Sequence, residues 1–317
     1  MPYNTLVQRA DVDALIPQNV SNLMLTSLED TSAALALGQR IPMPAGATRF
    51  PVLSALPQAY WVTGDTGLKQ TSTAAWDDKW ITVEELAVII PVPEAVLEDS
   101  GFDLWGAVRP LMEAAIARKF DAAVFLGVEK PASFPAALDA HARAAGNEVV
   151  RGSAAADEGG FAADVSDLLG LVEDDGYDPT GGIARTGLRG MIRRLGLVPA
   201  QLRGGGDLTA DDWFGISMRY PMRGLWPTAV STTEAVIGDF SNLVVGVRRD
   251  FSYKLLDQGV ITDNASPPAI VFNLPQQDMI ALRLTFRAGY QIANAINWDQ
   301  PTEAARSPFG VMTRPAT

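Results

Sequence analysis

Residues 280–290 read Ile280-Ala281-Leu282-Arg283-Leu284-Thr285-Phe286-Arg287-Ala288-Gly289-Tyr290. Alternation puts Ile280, Leu282, Leu284, Phe286, Ala288 and Tyr290 on one side of an extended chain, and Arg283, Thr285 and Arg287 on the other. That is the period-two pattern of a strand with one face in a core and one in water. A different period governs 102–127, where Leu104, Val108, Leu111, Met112, Ala115, Ile116, Phe120, Ala123 and Val124 recur every three or four residues. This is the spacing of an amphipathic helix, with Arg118, Lys119 and Asp121 on its more polar side. Pro110 lies inside the pattern. An interior proline costs ~3 kcal/mol, so either a kink there or a late start to the regular helix is expected. One long helix and long strands without a regular βαβ alternation make the chain α+β. An open nucleotide-binding sheet is not expected.

Outward from these two segments, residues 14–38 read as a weakly amphipathic helical arm, with Gly38 where a helix C-terminus favours positive φ. Prolines at 42, 44, 51 and 57 forbid a helix from Ile41 to Pro57 and imply extended, edge-like chain. Gln58–Thr63 and Trp76–Pro91 are rich in aromatic and β-branched residues and are predicted as the strands of a hairpin, joined by the polar stretch 64–73. A loop of roughly ten residues is long for a hairpin, and long loops are commonly functional or ordered by a neighbour. Trp61, Trp76 and Trp80 crowd into this hairpin as core, as a sugar-stacking platform or as contact surface for another chain. A projecting arm that cannot bury both of its faces favours the last. Further along, a short helix is predicted at Pro93–Asp99, and loops with short elements over 129–162. Helices follow at Ala163–Asp174, opened by Asp164 and Ser166, and at Thr186–Leu195, closed by Gly196. Strands are predicted at Ala235–Ile237, Leu243–Arg248 and Phe251–Leu256.

Composition narrows the chemistry. The 317 residues include 25 Lys+Arg, 37 Asp+Glu, one His and no Cys, for a net charge of −12. The absence of cysteine excludes disulfides, thiolate nucleophiles and thiolate metal sites. A single histidine, His141, excludes His-pair zinc helices, and it lies in a polar, alanine-rich segment that suggests a surface position. Neither phosphate-binding glycine fingerprint occurs; Gly204 to Gly206 leads into Asp207 and reads as a surface loop. The Gly-x-Ser-x-Gly elbow is absent too. Adjacent acids at Asp77-Asp78, Glu84-Glu85, Asp157-Glu158, Asp174-Asp175 and Asp211-Asp212 read as solvated side chains, since neighbours in a strand point to opposite faces. The acidic balance disfavours a dedicated nucleic-acid reader. No apolar stretch approaches the ~20 residues needed to cross a bilayer, and the first twenty residues lack the pattern of a secretion signal. An N-terminal arm, a proline-rich extended segment and a projecting hairpin all order much backbone for little private core, which makes sense when neighbours cover them.

The chain resembles the tailed-phage major capsid protein family, with the Hong Kong 97 type capsid fold. The resemblance rests first on Ser54-Ala55-Leu56-Pro57-Gln58-Ala59-Tyr60-Trp61-Val62, Gly64, Lys69-Gln70-Thr71 and Val83-Glu84-Glu85-Leu86-Ala87-Val88-Ile89-Ile90-Pro91-Val92-Pro93. It continues in Gly238-Asp239-Phe240-Ser241, Val244-Val245-Gly246-Val247-Arg248-Arg249-Asp250, Gln277-Asp278-Met279-Ile280-Ala281-Leu282-Arg283 and Arg287-Ala288-Gly289-Tyr290. What it implies is an N-terminal arm over 1–45 and an extended loop over 46–82. A peripheral domain with a long spine helix would take 83–130 and 246–295, and an axial domain 131–245 and 296–317. It implies no enzyme activity, no cofactor and no metal. The implied role is self-assembly as hexamers and pentamers into an icosahedral head in the virion. That head would enclose double-stranded DNA without reading its sequence, with scaffolding, portal and decoration proteins as possible partners and no membrane. Trp61, Gly64, Lys69, Trp76 and Trp80 are the expected inter-subunit contacts. Some family members join a loop lysine to a neighbour's asparagine; Lys69 with Asn294 or Asn297 is the candidate set here, against an ordinary solvated or salt-bridged lysine. Arginine outnumbers lysine 20 to 5, which suits subunit contacts through planar, bidentate donors or else reflects codon usage. The alternatives are an encapsulin-like nanocompartment shell and, more remotely, an acidic hydrolase or sugar-binding protein.

Overall fold

A computed structural model describes residues 32–62, 69, 71–99, 103–155, 159–196, 209, 211–221, 225–226, 232–263, 265–266 and 268–315. The first elements are helix α1 (Ala33–Leu37) and strands β1 (Gln39–Pro42), β2 (Ala47–Ala55), β3 (Ala75–Thr82) and β4 (Glu84–Pro93). Helices α2 (Glu94–Asp99), α3 (Leu104–Leu126) and α4 (Leu138–Ala145) follow, then β5 (Glu148–Val150), α5 (Phe161–Asp174), β6 (Gly181–Ala184) and α6 (Thr186–Gly196). Strands β7 (Asp212–Trp213), β8 (Ile216–Arg219), β9 (Thr233–Gly238), β10 (Leu243–Leu256), β11 (Val260–Thr262), β12 (Ile270–Asn273), β13 (Met279–Ile292) and β14 (Phe309–Thr313) complete the order. The chain divides into two units, a smaller one drawn from 85–117 and 249–287, and a larger one drawn from 30–84, 118–248 and 288–317.

In the smaller unit the first part of β13 lies between β10 and β4. Leu282, Leu284 and Phe286 are buried as the alternation predicts, and Phe286 stacks on Phe251 with ring centroids 5.0 Å apart. On the outer face, Arg287 is ion-paired with Glu85. The alternation fails at its start: Met279 and Ala281 are buried, while Ile280 is only half-buried. There the β11–β12 ribbon packs Ile261 and Phe272 against Met279 and Ala281, so the face expected in water has a small core of its own. A second cluster joins Val92, Val96 and Leu104 to Trp105 and Val108. Tyr253 donates to Glu113 on α3 and lies 5.6 Å under the Arg109 guanidinium. Replacing Leu284 or Phe286 by alanine is expected to cost ~2 to 5 kcal/mol. An unchanged melting temperature would contradict their placement in a core.

The larger unit holds a six-stranded sheet in the order β5-β14-β9-β6-β8-β7. Every residue of β9 and β14 is buried, as expected of central strands covered on both faces. Val165, Leu168 and Leu169 of α5 and Leu188 and Ile192 of α6 form one core with Trp213, Ile216 and Met218. The beginning of β10 pairs in parallel with β1, from Gln39 opposite Val244 to Pro42 opposite Val247.

Several expectations are corrected. Of the helical arm, residues 14–31 lie outside the described residues, and helix is present at Ala33–Leu37. Gly38 is extended, with φ −75° and ψ 160°, rather than left-handed. Space is what requires glycine there, because a Cβ would sit 2.9 Å from the Ala34 carbonyl oxygen and 3.0 Å from that of Leu243. The hairpin strands are 47–55 and 75–82; residues 58–62 are irregular, and the predicted Trp76–Pro91 strand is two strands broken at Val83. Conversely, 243–256 is one continuous strand rather than two. Helix α3 begins ahead of Pro110, so no late start occurs, and the proline leaves the Gly106 carbonyl without its intrahelical donor. Leu111, assigned to the apolar face of α3, is exposed.

Two polar residues are buried and a third is half-buried where spacing or context placed them in water or at a helix start. Asp121 is 4% exposed. Its carboxylate accepts from Ser32 Oγ and from the backbone N–H groups of Ala33 at 2.8 Å and Ala34 at 3.1 Å, closing the N-terminus of α1. Burial pushes its pKa up to about 6, against the opposite pull of those three hydrogen bonds. Asp164 does not open α5, which starts at Phe161; it accepts from Gly152 N, Ser153 Oγ and Ala154 N and so fixes a turn. His141 is half-buried on α4, with Nδ1 2.9 Å from Ser307 Oγ. Burial foremost, then the charge of Lys79, lowers its pKa to about 4, so it is a neutral packing residue at physiological pH.

Candidate assembly surface

Strands β2 and β3 form a two-stranded antiparallel ribbon. Proline at 51 is tolerated because, among the described residues, β2 has a strand neighbour on one side only. Register sets the two faces. Thr48, Phe50 and Val52 oppose Ile81, Lys79 and Asp77, while Arg49, Pro51 and Leu53 oppose Trp80, Asp78 and Trp76.

The first face is held by the larger unit itself. Ile81 joins Met43 and Val244 in a small core with Phe50 against it, and Val52 is buried. Lys79 Nζ bonds the Ile292 carbonyl at 3.3 Å and Glu303 Oε1 at 2.9 Å. Gln291 Nε2 donates to the Trp80 carbonyl at 3.0 Å, and the Ile296 N–H to the Leu53 carbonyl at 3.2 Å. Beneath the ribbon the backbones touch: a methyl group at Gly289 would overlap the Thr82 carbonyl oxygen, and one at Gly246 the Met43 sulfur. The root is therefore fixed by both packing and hydrogen bonds.

The second face is bare. Trp76 is 63% and Trp80 54% exposed, and in the irregular stretch beyond β2 Trp61 is fully exposed. Between the two ribbon indoles Arg49 pairs with Asp78 at 2.8 Å. So exposed a pair contributes only ~0.2 to 1 kcal/mol. Its consequence is that the face carries no net charge between its aromatic rings. Of the expected contact residues, Trp76 and Trp80 are brought together on one face; Trp61 and Lys69 are exposed outside the paired strands, and Gly64 lies outside the described residues. Alternation around Trp76 and Trp80 was the available signal for this face. No sequence signal points to Arg49, Lys79 or Glu303, whose partners are set by strand register and by tertiary contact.

At the root, Asn294 and Arg306 belong to a polar network. Asn294 adopts φ 44°, accepts from the Tyr177 hydroxyl at 2.9 Å, and donates to the carbonyls of Glu303 and Arg306. Asn297 donates to the Asp175 carbonyl and accepts from Gln300 N. Both asparagine amides named as partners for Lys69 are thus engaged within the subunit. Asp175, read as solvated, is buried and accepts from Asn147 Nδ2 and Ser307 N. Among the other adjacent acids, Glu84 accepts from Ser133 and Asp211 pairs with Arg189 at 2.5 Å; Asp157-Glu158 lie outside the described residues. Among the described residues no group of three or more His, Asp and Glu is placed to hold a metal ion, and no helix is long and apolar enough to cross a membrane.

Residues 13–176 match the Phage capsid family. The chain belongs to that family. The Major capsid protein of Staphylococcus phage 80alpha is 25% identical over 283 residues, which are 89% of this chain and 83% of that protein. A solved structure from Microbacterium phage Oxtober96 is 35% identical, with a TM-score of 0.80 over 98% of this chain and 100% of its own. One from Mycobacterium phage Cain is 30% identical, with a TM-score of 0.81 over 99% and 100% of the two chains. The expected α+β fold of Hong Kong 97 type holds, and with it the role of structural capsid protein of the virion. Relatives in the phage capsid family are structural proteins rather than enzymes.

Proposed function

We propose that the chain closes as hexamers and pentamers into an icosahedral shell around double-stranded DNA, and that the Trp76–Trp80 face of the ribbon is covered there by a neighbouring copy. The observation that carries this is the two-faced ribbon, with one side packed onto its own subunit and the other presenting two indoles and a neutralised ion pair to solvent. A subunit that stayed alone would leave this apolar area in water. In this reading 1–45 is the arm, 46–82 the extended loop that carries the contact residues Trp61, Gly64 and Lys69, 83–130 with 246–295 the peripheral domain, and 131–245 with 296–317 the axial domain. A net charge of −12 suits a container that encloses DNA without gripping it, since each phosphate contact by Lys or Arg would raise affinity. Scaffolding, portal and decoration proteins are the further partners expected, and the shell itself performs no catalysis.

Cryo-electron microscopy of the recombinant protein and of particles tests the proposal. Closed shells containing DNA are expected; shells filled with protein cargo would point to a nanocompartment, and a persistent monomer would refute both. Deleting residues 64–73 is expected to leave a folded subunit that forms no stable shells. Normal shells from the deletion would remove the loop from assembly.

A further inference from the structure

Charge in the larger unit is sorted along the chain. From 157 to 178 the sequence carries eight acids and no Lys or Arg, and from 185 to 203 five arginines and no acid. Helix α5 closes on Glu173 and Asp174, both exposed, with no basic residue in its last turn. Carboxylates there oppose the helix dipole, which favours cations at a C-terminus. Asp178 is exposed just beyond, and Asp299 lies beside Gly176, where a Cβ would come within 2.8 Å of its Oδ2. Among the described residues none of these four carboxylates makes an ion pair. They sit at one end of the six-stranded sheet, where Thr180 N donates to the Gly238 carbonyl at 3.0 Å.

Helix α6 begins at the other end, where Arg185 N donates to the Glu234 carbonyl at 2.7 Å. Arg185, Arg189 and Arg193 follow at intervals of four and so share one stripe of the helix. Arg185 shares the Glu234 carboxylate with Arg151, Arg189 pairs with Asp211, and Arg193 is exposed, its Nε donating to the Arg189 carbonyl. The stripe therefore keeps an excess of positive charge. The four steps of β9 from Glu234 to Gly238 span ~13 Å. Charges in solvent act over only ~8 Å at physiological salt, so the two ends do not neutralise each other within one subunit.

We infer that the α6 arginine stripe of one copy docks against the carboxylates at the α5 C-terminus of the next. Two different patches of one chain are complementary, so the contact is heterologous, and copies joined by it run head to tail round a ring rather than pairing off. This rests on the shell reading above and adds a pair of surfaces by which one copy follows another.

Sedimentation of the full-length chain over a range of subunit concentrations, at about 0.15 M salt, tests the inference. Glu173→Arg/Asp174→Arg removes charges that oppose the α5 dipole, so the subunit should keep or raise its melting temperature, yet assemble only at roughly tenfold higher concentration. Arg193→Glu should have an effect of the same size. All three substitutions in one chain place opposite charges across the contact again and should bring assembly back to within about threefold of the native chain. If the combined chain assembles no better than the separate variants, or if neither separate variant is impaired while the native chain assembles, the contact is overturned and the shell reading stands. A native chain that never assembles overturns both.

Discussion

A Trp76→Ala/Trp80→Ala double variant is expected to purify as a folded subunit with an unaltered melting temperature and to form few or no shells. Both side chains lie on the bare face of the ribbon and contribute little to the private core. A tryptophan buries 150 to 250 Å², so covering the exposed part of each indole removes on the order of 120 Å² from water, or ~3 kcal/mol at 25 cal/mol per Å². Losing that at every copy multiplies through a closed shell, because each subunit both gives and receives the contact. Sedimentation of the assembled fraction is the measurement, with a single Arg49→Ala as comparison. That variant removes only an exposed ion pair and should shift assembly by ~1 kcal/mol or less per contact. Shells from the double variant at normal yield would show that the aromatic face meets nothing.

Asp121→Ala is expected to be the most damaging single truncation of a polar side chain, and its cost should depend on pH. The substitution strands the Ser32 hydroxyl and the N–H groups of Ala33 and Ala34, three donors in a buried place. At 1 to 3 kcal/mol for each of three stranded groups, at least ~3 kcal/mol is expected at pH 4 to 5. In the native protein the Asp121 pKa lies near 6 rather than at 3.8. Between those values the folded chain holds a proton that the unfolded chain has released, so the contribution of Asp121 to stability falls as pH rises from about 4 to 6. At ~1.4 kcal/mol per pH unit the decline approaches 3 kcal/mol. The truncation should therefore cost less at pH 7 than at pH 4.5. His141, with its pKa lowered to about 4, changes stability in the opposite direction, rising between about 4 and 6.5. It does so in both proteins and cancels in the difference. Denaturant unfolding of both proteins at the two pH values decides the matter; a cost that grows with pH would mean that the pocket favours the ionised carboxylate.

What could be read in the sequence follows from where the determining forces lie. Segments governed by their own periodicity were legible: Leu282, Leu284 and Phe286 alternate into a core, and the three-four spacing of 104–124 is a helix. Of the ribbon, the strand at 75–82 was legible in Trp76, Trp80 and Ile81, but its partner was legible only as extended, edge-like chain. Tyr60, Trp61 and Val62 have high strand propensity, yet the paired strand is 47–55, with a proline in it. Pairing with 75–82 and docking of Val52 on the larger unit outweigh local preference. Asp121 was misplaced because its burial depends on Ser32, 89 positions away, and no helical periodicity contains that information. The tryptophan face was legible in part, as Trp76 and Trp80 are two strand repeats apart. The ion pair and the root of the ribbon required the register and the fold.

One consequence of the six-stranded sheet concerns timing. Strand β14, residues 309–313, is inserted between β5, which ends at residue 150, and β9, which ends at residue 238. Both neighbours leave the ribosome long before the strand that joins them exists. The larger unit can close only after residue 313 has been synthesised, so a chain still being made, or one cut short, lacks a finished sheet to offer a growing lattice. A chain cut short before residue 309 would leave β5 and β9 without the strand that joins them.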